Sequence, residues 1–195
     1  MKDFVDFLLK KVYNSKTIPQ KIIEVAFNNV LKDVQYHFPS LSSEEIKKRI
    51  ENNNNELALF LFRIGNELHN QKLEDLKPQV HWLLKELCSC EIYFNNCIDV
   101  GFYIIHGQGI VIGSRNVIGK GFVIHQGCTI GHKKNGAGNG NKIHDNVKMY
   151  CNSSIIGELN IEDNVIIGAH CLITSDIASN TIITNSRNLR TSKIK

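Results

Sequence analysis

The stretch "VIGSRNVIGKGFVIHQGCTIG", Val111–Gly131, decides the fold, because Ile112, Ile118, Ile124 and Ile130 stand six residues apart. An α-helix of 3.6 residues per turn cannot hold that register, and a hairpin sheet would alternate by two. A six-residue repeat marks a parallel β-helix, in which three short strands and their turns make one triangular coil. Working outward, the period continues upstream at Ile92, Ile98 and Ile104, and downstream at Ile143, Met149, Ile155, Ile161, Ile167 and Ile173. Small or apolar residues follow four places later at Phe102, Phe122, Cys128, Val147, Ser153, Leu159, Val165 and Cys171. The pattern predicts a little over four coils stacked at about 4.8 Å, with the isoleucines filling the prism.

Two places break the count. In "IIHGQGIVIG", Ile104–Gly113, two extra residues separate Ile104 from Ile112, and His106 stands among glycines in the gap. Between Ile130 and Ile143, "GHKKNGAGNGNK" adds a Gly- and Asn-rich excursion, loop 132–142. Insertions in a solenoid gather at its working face.

Residues 1–88 have helical grammar. "IPQKIIEVAFNNVLKDVQYHF" places Ile22, Ile23, Ala26, Phe27, Val30 and Leu31 on one stripe, and Ser42 with Glu45 has the form of a capping box. "NELALFLFRIGNELHN" is apolar on all sides and therefore buried, and "KPQVHWLLKELCS" reads as the last helix. Pro19 and Pro78 suit first turns. His37, His69 and His81 fall in these helices as packing or surface residues. The organisation expected is a helical domain 1–88, a β-helix 89–183 and a basic tail 184–195: an α+β chain.

Bulk composition narrows the function. The chain has 195 residues, 42% of them hydrophobic and 22% charged, with a net charge of +4. No dense basic stripe with interleaved aromatics is present, which disfavours nucleic acid. No apolar run is long enough to span a bilayer, and the charges at Lys2, Asp3 and Asp6 interrupt any signal-peptide core, so a cytoplasmic location is expected. The six cysteines lack the spacing of a disulfide scaffold or a zinc site and read as reduced structural thiols.

The motifs "EIYFNNCIDVGFYIIHGQGIVIG", Glu91–Gly113, and "VIGKGFVIHQGCTIG", Val117–Gly131, with the Gly-rich loop and the segment "ALFLFRIGNELHN", resemble the left-handed β-helix acyltransferases, and within them the serine O-acetyltransferase-like group. The resemblance covers residues 56–183. It implies an acetyl-CoA-dependent O-acetyltransferase without a metal, assembled as a homotrimer or, through the helices, a hexamer. By position it makes His106 the general base and Glu91 the acid that orients it. A histidine near its ordinary pKa of about 6.5 can take a hydroxyl proton at neutral pH, and a carboxylate on its far nitrogen would fix the tautomer. His125 and Gln126 are implied at the acceptor. Acetyl-CoA is implied at Gly131, Asn152, Ser153, Gly168, Ala169 and Thr174, with Arg187 and Arg190 near its phosphates. His132 opens the loop, while His144 and His170 take ordinary rung positions.

The group's serine clamp is a carboxylate before the catalytic histidine and an Arg-His pair in the loop, and these positions hold Ile105, Asn139 and Gly140 here. That departure is closest to the colanic acid and capsular polysaccharide O-acetyltransferases. The expected acceptor is then a sugar hydroxyl of a surface polysaccharide or its precursor, with serine as the alternative. A metal-dependent hydratase and a non-catalytic scaffold are the remaining classes.

Overall fold

A computed structural model of the chain describes residues 1–134 and 138–185. Five helices come first: α1 Lys2–Leu9, α2 Gln20–His37, α3 Ser43–Asn52, α4 Asn54–Asn70 and α5 Lys77–Cys88. Fourteen short strands follow: β1 Glu91–Ile92, β2 Cys97–Ile98, β3 Tyr103–Ile105, β4 Val111–Ile112, β5 Val117–Ile118, β6 Val123–His125, β7 Thr129–Gly131, β8 Lys142–Ile143, β9 Lys148–Met149, β10 Ser154–Ile156, β11 Asn160–Ile161, β12 Ile166–Ile167, β13 Leu172–Ile173 and β14 Ile182–Ile183. Among the described residues no helix is long and apolar enough to cross a membrane.

The strands pair in parallel as three sheets, ordered β1-β4-β7-β10-β13, β2-β5-β8-β11 and β3-β6-β9-β12-β14, which are the three faces of the prism. Register follows the isoleucines. Ile92, Ile112, Ile130, Ile155 and Ile173 align on the first face. Ile98, Ile118, Ile143 and Ile161 align on the second. Ile104, Ile124, Met149, Ile167 and Ile183 align on the third. Every isoleucine of the six-residue series, with Met149, is at most 5% exposed. The excursion after Ile130 leaves the register on either side intact.

Corners solve the polar bookkeeping that buried turns impose. Asn96, Asn116 and Asn141 stack inside the corner between the first and second faces, each 1% exposed. The Asn96 Oδ1 accepts from the Asn116 backbone and amide, and the Asn116 Oδ1 accepts from those of Asn141. The corner between the second and third faces turns through a left-handed column of Gly101, Gly121, Asn146, Asn164 and Asn180. Glycine and asparagine are the residues that tolerate this conformation.

The sequence reading missed α1, whose Val5, Leu8 and Leu9 are buried despite the charges between them. Pro19 is the N-cap of α2 rather than its first residue, whereas Pro78 does lie in the first turn of α5. The capping box of Ser42 and Glu45 is present. In α4 every residue from Glu56 to Gly65 is buried, so this helix is the bed on which α2, α3, α5 and the first coil lie.

Candidate active site

The third and first faces meet at a corner that turns through Ser89, Gly109, Gly127, Asn152 and His170, all left-handed. Gly109 donates to the Ser89 carbonyl, Gly127 to Gln108, Asn152 to Gln126 and His170 to Cys151, so the column is tied from coil to coil. His106 is one more left-handed residue, φ 53°, and occurs only where the first coil carries its two-residue break. The break pushes the chain out of the corner, and His106 is exposed on it.

Beside it, Ile105 of β3 pairs with His125 of β6, and the His125 ring stacks on Tyr150 with centroids 4.8 Å apart. Burial pushes the His125 imidazole below its ordinary range, and the charge of His106 pushes it further. Gln126 follows, with its Oε1 buried and lacking a hydrogen-bond partner among the described residues. Two imidazoles, a buried amide oxygen without a partner among the described residues and an aromatic face thus share one corner. This can take a proton from a hydroxyl and offer polar contacts to the molecule that bears it.

Glu91 lies elsewhere in its contacts. Its carboxylate is 3.3 Å from the Lys85 Nζ and 3.8 Å from the His81 Nε2, both on α5, and no hydrogen bond joins it to His106 among the described residues. The expected orienting bond is therefore not formed in the single chain: Lys85, with His81 one helical turn before it on α5, stands beside the carboxylate instead. His81 is correspondingly more than a packing residue, since it meets Glu91 and the rings of Tyr93 and Phe94.

The residues expected at acetyl-CoA divide between two edges of the first face. Asn152, Gly168 and Ala169 stand on the His106 corner, while Gly131 ends β7 and Thr174 follows β13 at the opposite edge. At Gly168 a Cβ would come 2.8 Å from the Ile183 carbonyl, so that turn has no room for a side chain. Ser153 is a correction: it is fully buried, and its hydroxyl donates to the Tyr150 carbonyl at 2.7 Å, so it closes the corner from inside and presents nothing to a ligand. Arg187 and Arg190 lie outside the described residues, as do loop residues 135–137. His132 is held at 2.8 Å from the Ser114 carbonyl, and His144 at 2.9 Å from the Asn160 Oδ1.

Sequence reasoning missed Tyr150, Asn55 and Cys90. Asn55 accepts from the Gly107 backbone and Cys90 donates to the Gly107 carbonyl, each at 2.9 Å. Asn53 caps α4 by accepting from the Asn55 backbone, while the Asn55 side chain reaches on to the first coil. All six cysteines are free thiols, with Cys88 and Cys90 pushed up to about 12 by burial.

The shifts carry a pH prediction. Burial lowers His81 as it lowers His125. A histidine held neutral in the fold adds stability above its unfolded value of about 6.5, and that stability is lost as the pH falls through the lower folded value. The thermal midpoint is expected to be flat above about pH 7 and to fall on going to about pH 5.5, with His125→Gln removing part of the slope. Differential scanning fluorimetry across that range checks it; a midpoint that rises on acidification contradicts it.

No family model matches the chain. It is 28% identical over 127 residues to a serine acetyltransferase of Synechococcus elongatus, covering 65% of this chain and 52% of that protein. The chain thus spans about half the length of that curated relative. Among solved structures, a Neisseria gonorrhoeae serine acetyltransferase in complex with serine superposes with a TM-score of 0.72 at 22% identity, covering 94% of this chain and 71% of that one. A Brucella abortus serine acetyltransferase in complex with coenzyme A does so with 0.71 at 16%, covering 95% and 70%. At these identities the likeness establishes the fold, a helical region followed by a left-handed parallel β-helix of about four turns. Relatives and structural neighbours are consistently serine acetyltransferases, which overturns the expected sugar acceptor and the placement beside the capsular polysaccharide enzymes.

Proposed function

We propose that the chain is an acetyltransferase that moves the acetyl group of acetyl-CoA to the hydroxyl of serine, with His106 as general base. The observation that carries this reading is the placement of His106: an exposed imidazole on the one corner turn lengthened by two residues among the described residues, beside His125, whose imidazole burial pushes down. In the reaction the neutral imidazole takes the proton of the serine hydroxyl as its oxygen attacks the thioester carbon. The C–S bond breaks when the tetrahedral centre collapses, and the imidazolium returns the proton to the departing thiolate. The products are an O-acetyl ester and the free thiol of coenzyme A, and no covalent acyl-enzyme is needed.

Acetyl-CoA would be held by backbone and short side chains at Asn152, Gly168 and Ala169, with Gly131 and Thr174 supplied across a groove. Those two groups stand on opposite edges of one prism face, so a single chain does not bring them together. A homotrimer, in which the corner of one copy faces the opposite edge of the next, would complete the site. Sedimentation or light scattering giving a monomer in solution would remove that part of the reading.

Three clamp positions carry no charge here: Ile105 precedes the base, and Asn139 and Gly140 stand in the loop. The expected outcome is therefore serine turnover with weak serine binding. The test is purified chain with acetyl-CoA and L-serine, coenzyme A release followed with a thiol reagent and the ester identified by mass spectrometry. Serine-dependent release with O-acetylserine formed supports the reading, and no serine-dependent release rejects it.

A further inference from the structure

We propose that Asn55 and Cys90 are positioning residues for His106, acting together by clamping Gly107 through the peptide on either side of it, the first of which is shared with His106; this rests on the reading of His106 as the base. The Gly107 N–H donates to the Asn55 Oδ1 at 2.9 Å, and the Gly107 carbonyl accepts from the Cys90 Sγ at 2.9 Å. These anchors come from separate elements: Asn55 from the first turn of α4, and Cys90 from the link between α5 and β1. The segment between the strands carries two residues more than any other turn at its corner, so the coil ladder alone does not fix it. The ladder resumes at Gln108, whose carbonyl accepts from Gly127, and at Gly109, which donates to Ser89.

The clamp explains why a strained residue stays where it is. His106 is left-handed at φ 53°, a conformation that costs any residue with a side chain and that contacts around it help to hold. Its neighbour has no slack. A Cβ on Gly107 would lie 2.9 Å from the Ile104 Cγ2 and 3.2 Å from the Cys90 Sγ, so the residue is pressed onto the prism wall as well as bonded through the peptide on either side. Burial holds the Cys90 thiol at about 12, so it remains an S–H donor throughout the working range and is not a nucleophile. The helical half therefore reaches the residue that follows the base through Asn55.

The test uses paired variants of the full chain. Asn55→Ala and Cys90→Ala remove the acceptor and the donor, whereas Asn55→Asp and Cys90→Ser keep them. Misplacing a reacting group by a fraction of an ångström is expected to lower kcat about tenfold in the alanine variants, with KM for both substrates within about twofold, and with rates restored in Asn55→Asp and Cys90→Ser. A second readout needs no substrate: the His106 ring signal in NMR, identified by its loss in a His106 variant, should shift or broaden in the alanine variants and return in the conservative ones. An unmoved His106 signal in Asn55→Ala overturns the clamp, and so does an equal fall in kcat for Asn55→Asp and Asn55→Ala. If the wild type fails to acetylate serine, the functional reading fails while the NMR comparison still decides the clamp.

Discussion

Replacing His106 with asparagine is expected to lower the rate of acetyl transfer to serine by about 10²- to 10⁴-fold, the contribution of a positioned general base. Asparagine is the informative replacement because it tolerates the left-handed conformation that His106 adopts at φ 53°, so the turn survives and the proton acceptor does not. The side chain is exposed on its corner, and its loss leaves no cavity and no orphaned buried group. The thermal midpoint should therefore stay near that of the wild type, which separates a chemical effect from a folding one. If the variant keeps its rate within about threefold, well below what a general base supplies, His106 is not the base.

A parallel variant at Glu91 sharpens the result. A carboxylate that served His106 as its orienting partner would, when replaced by glutamine, lower kcat strongly. In the structure that carboxylate is shared between Lys85 and His81, so Glu91→Gln is expected to act mainly on the seating of α5, with a smaller loss of rate than His106→Asn.

How much of this was legible in the residues depends on the range of the constraint. A six-residue period is imposed on every rung by the same interior, so Ile92 to Ile173 announce the prism repeatedly, and the position of the break follows by counting. The capping box of Ser42 and Glu45 was readable because it is satisfied within one turn. Contacts made across elements were not. Lys85 and His81 reach Glu91 from a helix whose pattern says nothing of the strand it faces, and Asn55 sits in a polar run that already has a local purpose. Ser153 stands in the same series as Cys128, Val147 and Val165, all buried, so the six-residue pattern placed it inside and only the resemblance placed it at a ligand. The acceptor was misread at Ile105 for a further reason. An uncharged residue at that place tells which group is missing from a clamp and not what takes over its task, so one position could not outweigh the likeness of the whole chain to serine acetyltransferases.

The largest stability effect is expected at a pair that no motif announced. Asp33 of α2 and Arg63 of α4 are 1% and 7% exposed, and they meet through two bonds of 2.7 Å in fork geometry. Both then reach into the first coil: Arg63 donates to the carbonyls of Ile98 at 2.7 Å and Asp99 at 3.0 Å, and the Asp33 Oδ1 accepts from the backbone of Gly101 at 2.9 Å and Phe102 at 3.3 Å. Burial pushes the Asp33 carboxyl up, and the guanidinium and the two amides pull it back. The pair is thus the polar joint between helices and prism, set where Phe62 of α4 meets Phe102 edge-on with centroids 5.7 Å apart. Asp33→Ala leaves a guanidinium buried without its counter-charge and two amides without an acceptor, a loss of about 3–5 kcal/mol. In a chain of this size each kcal/mol moves the thermal midpoint by about 2–4 °C, so a fall of roughly 10 °C or more is expected. Asp33→Leu combined with Arg63→Met should lose less than the sum of the two single variants, because neither charge is then stranded. It should not return to the wild-type value, since the carbonyls of Ile98 and Asp99 still lack their donor. Urea titration of the three variants measures the coupling, and additive losses, or an Asp33→Ala midpoint within about 2 °C of the wild type, would show that the joint is held by its apolar contacts instead.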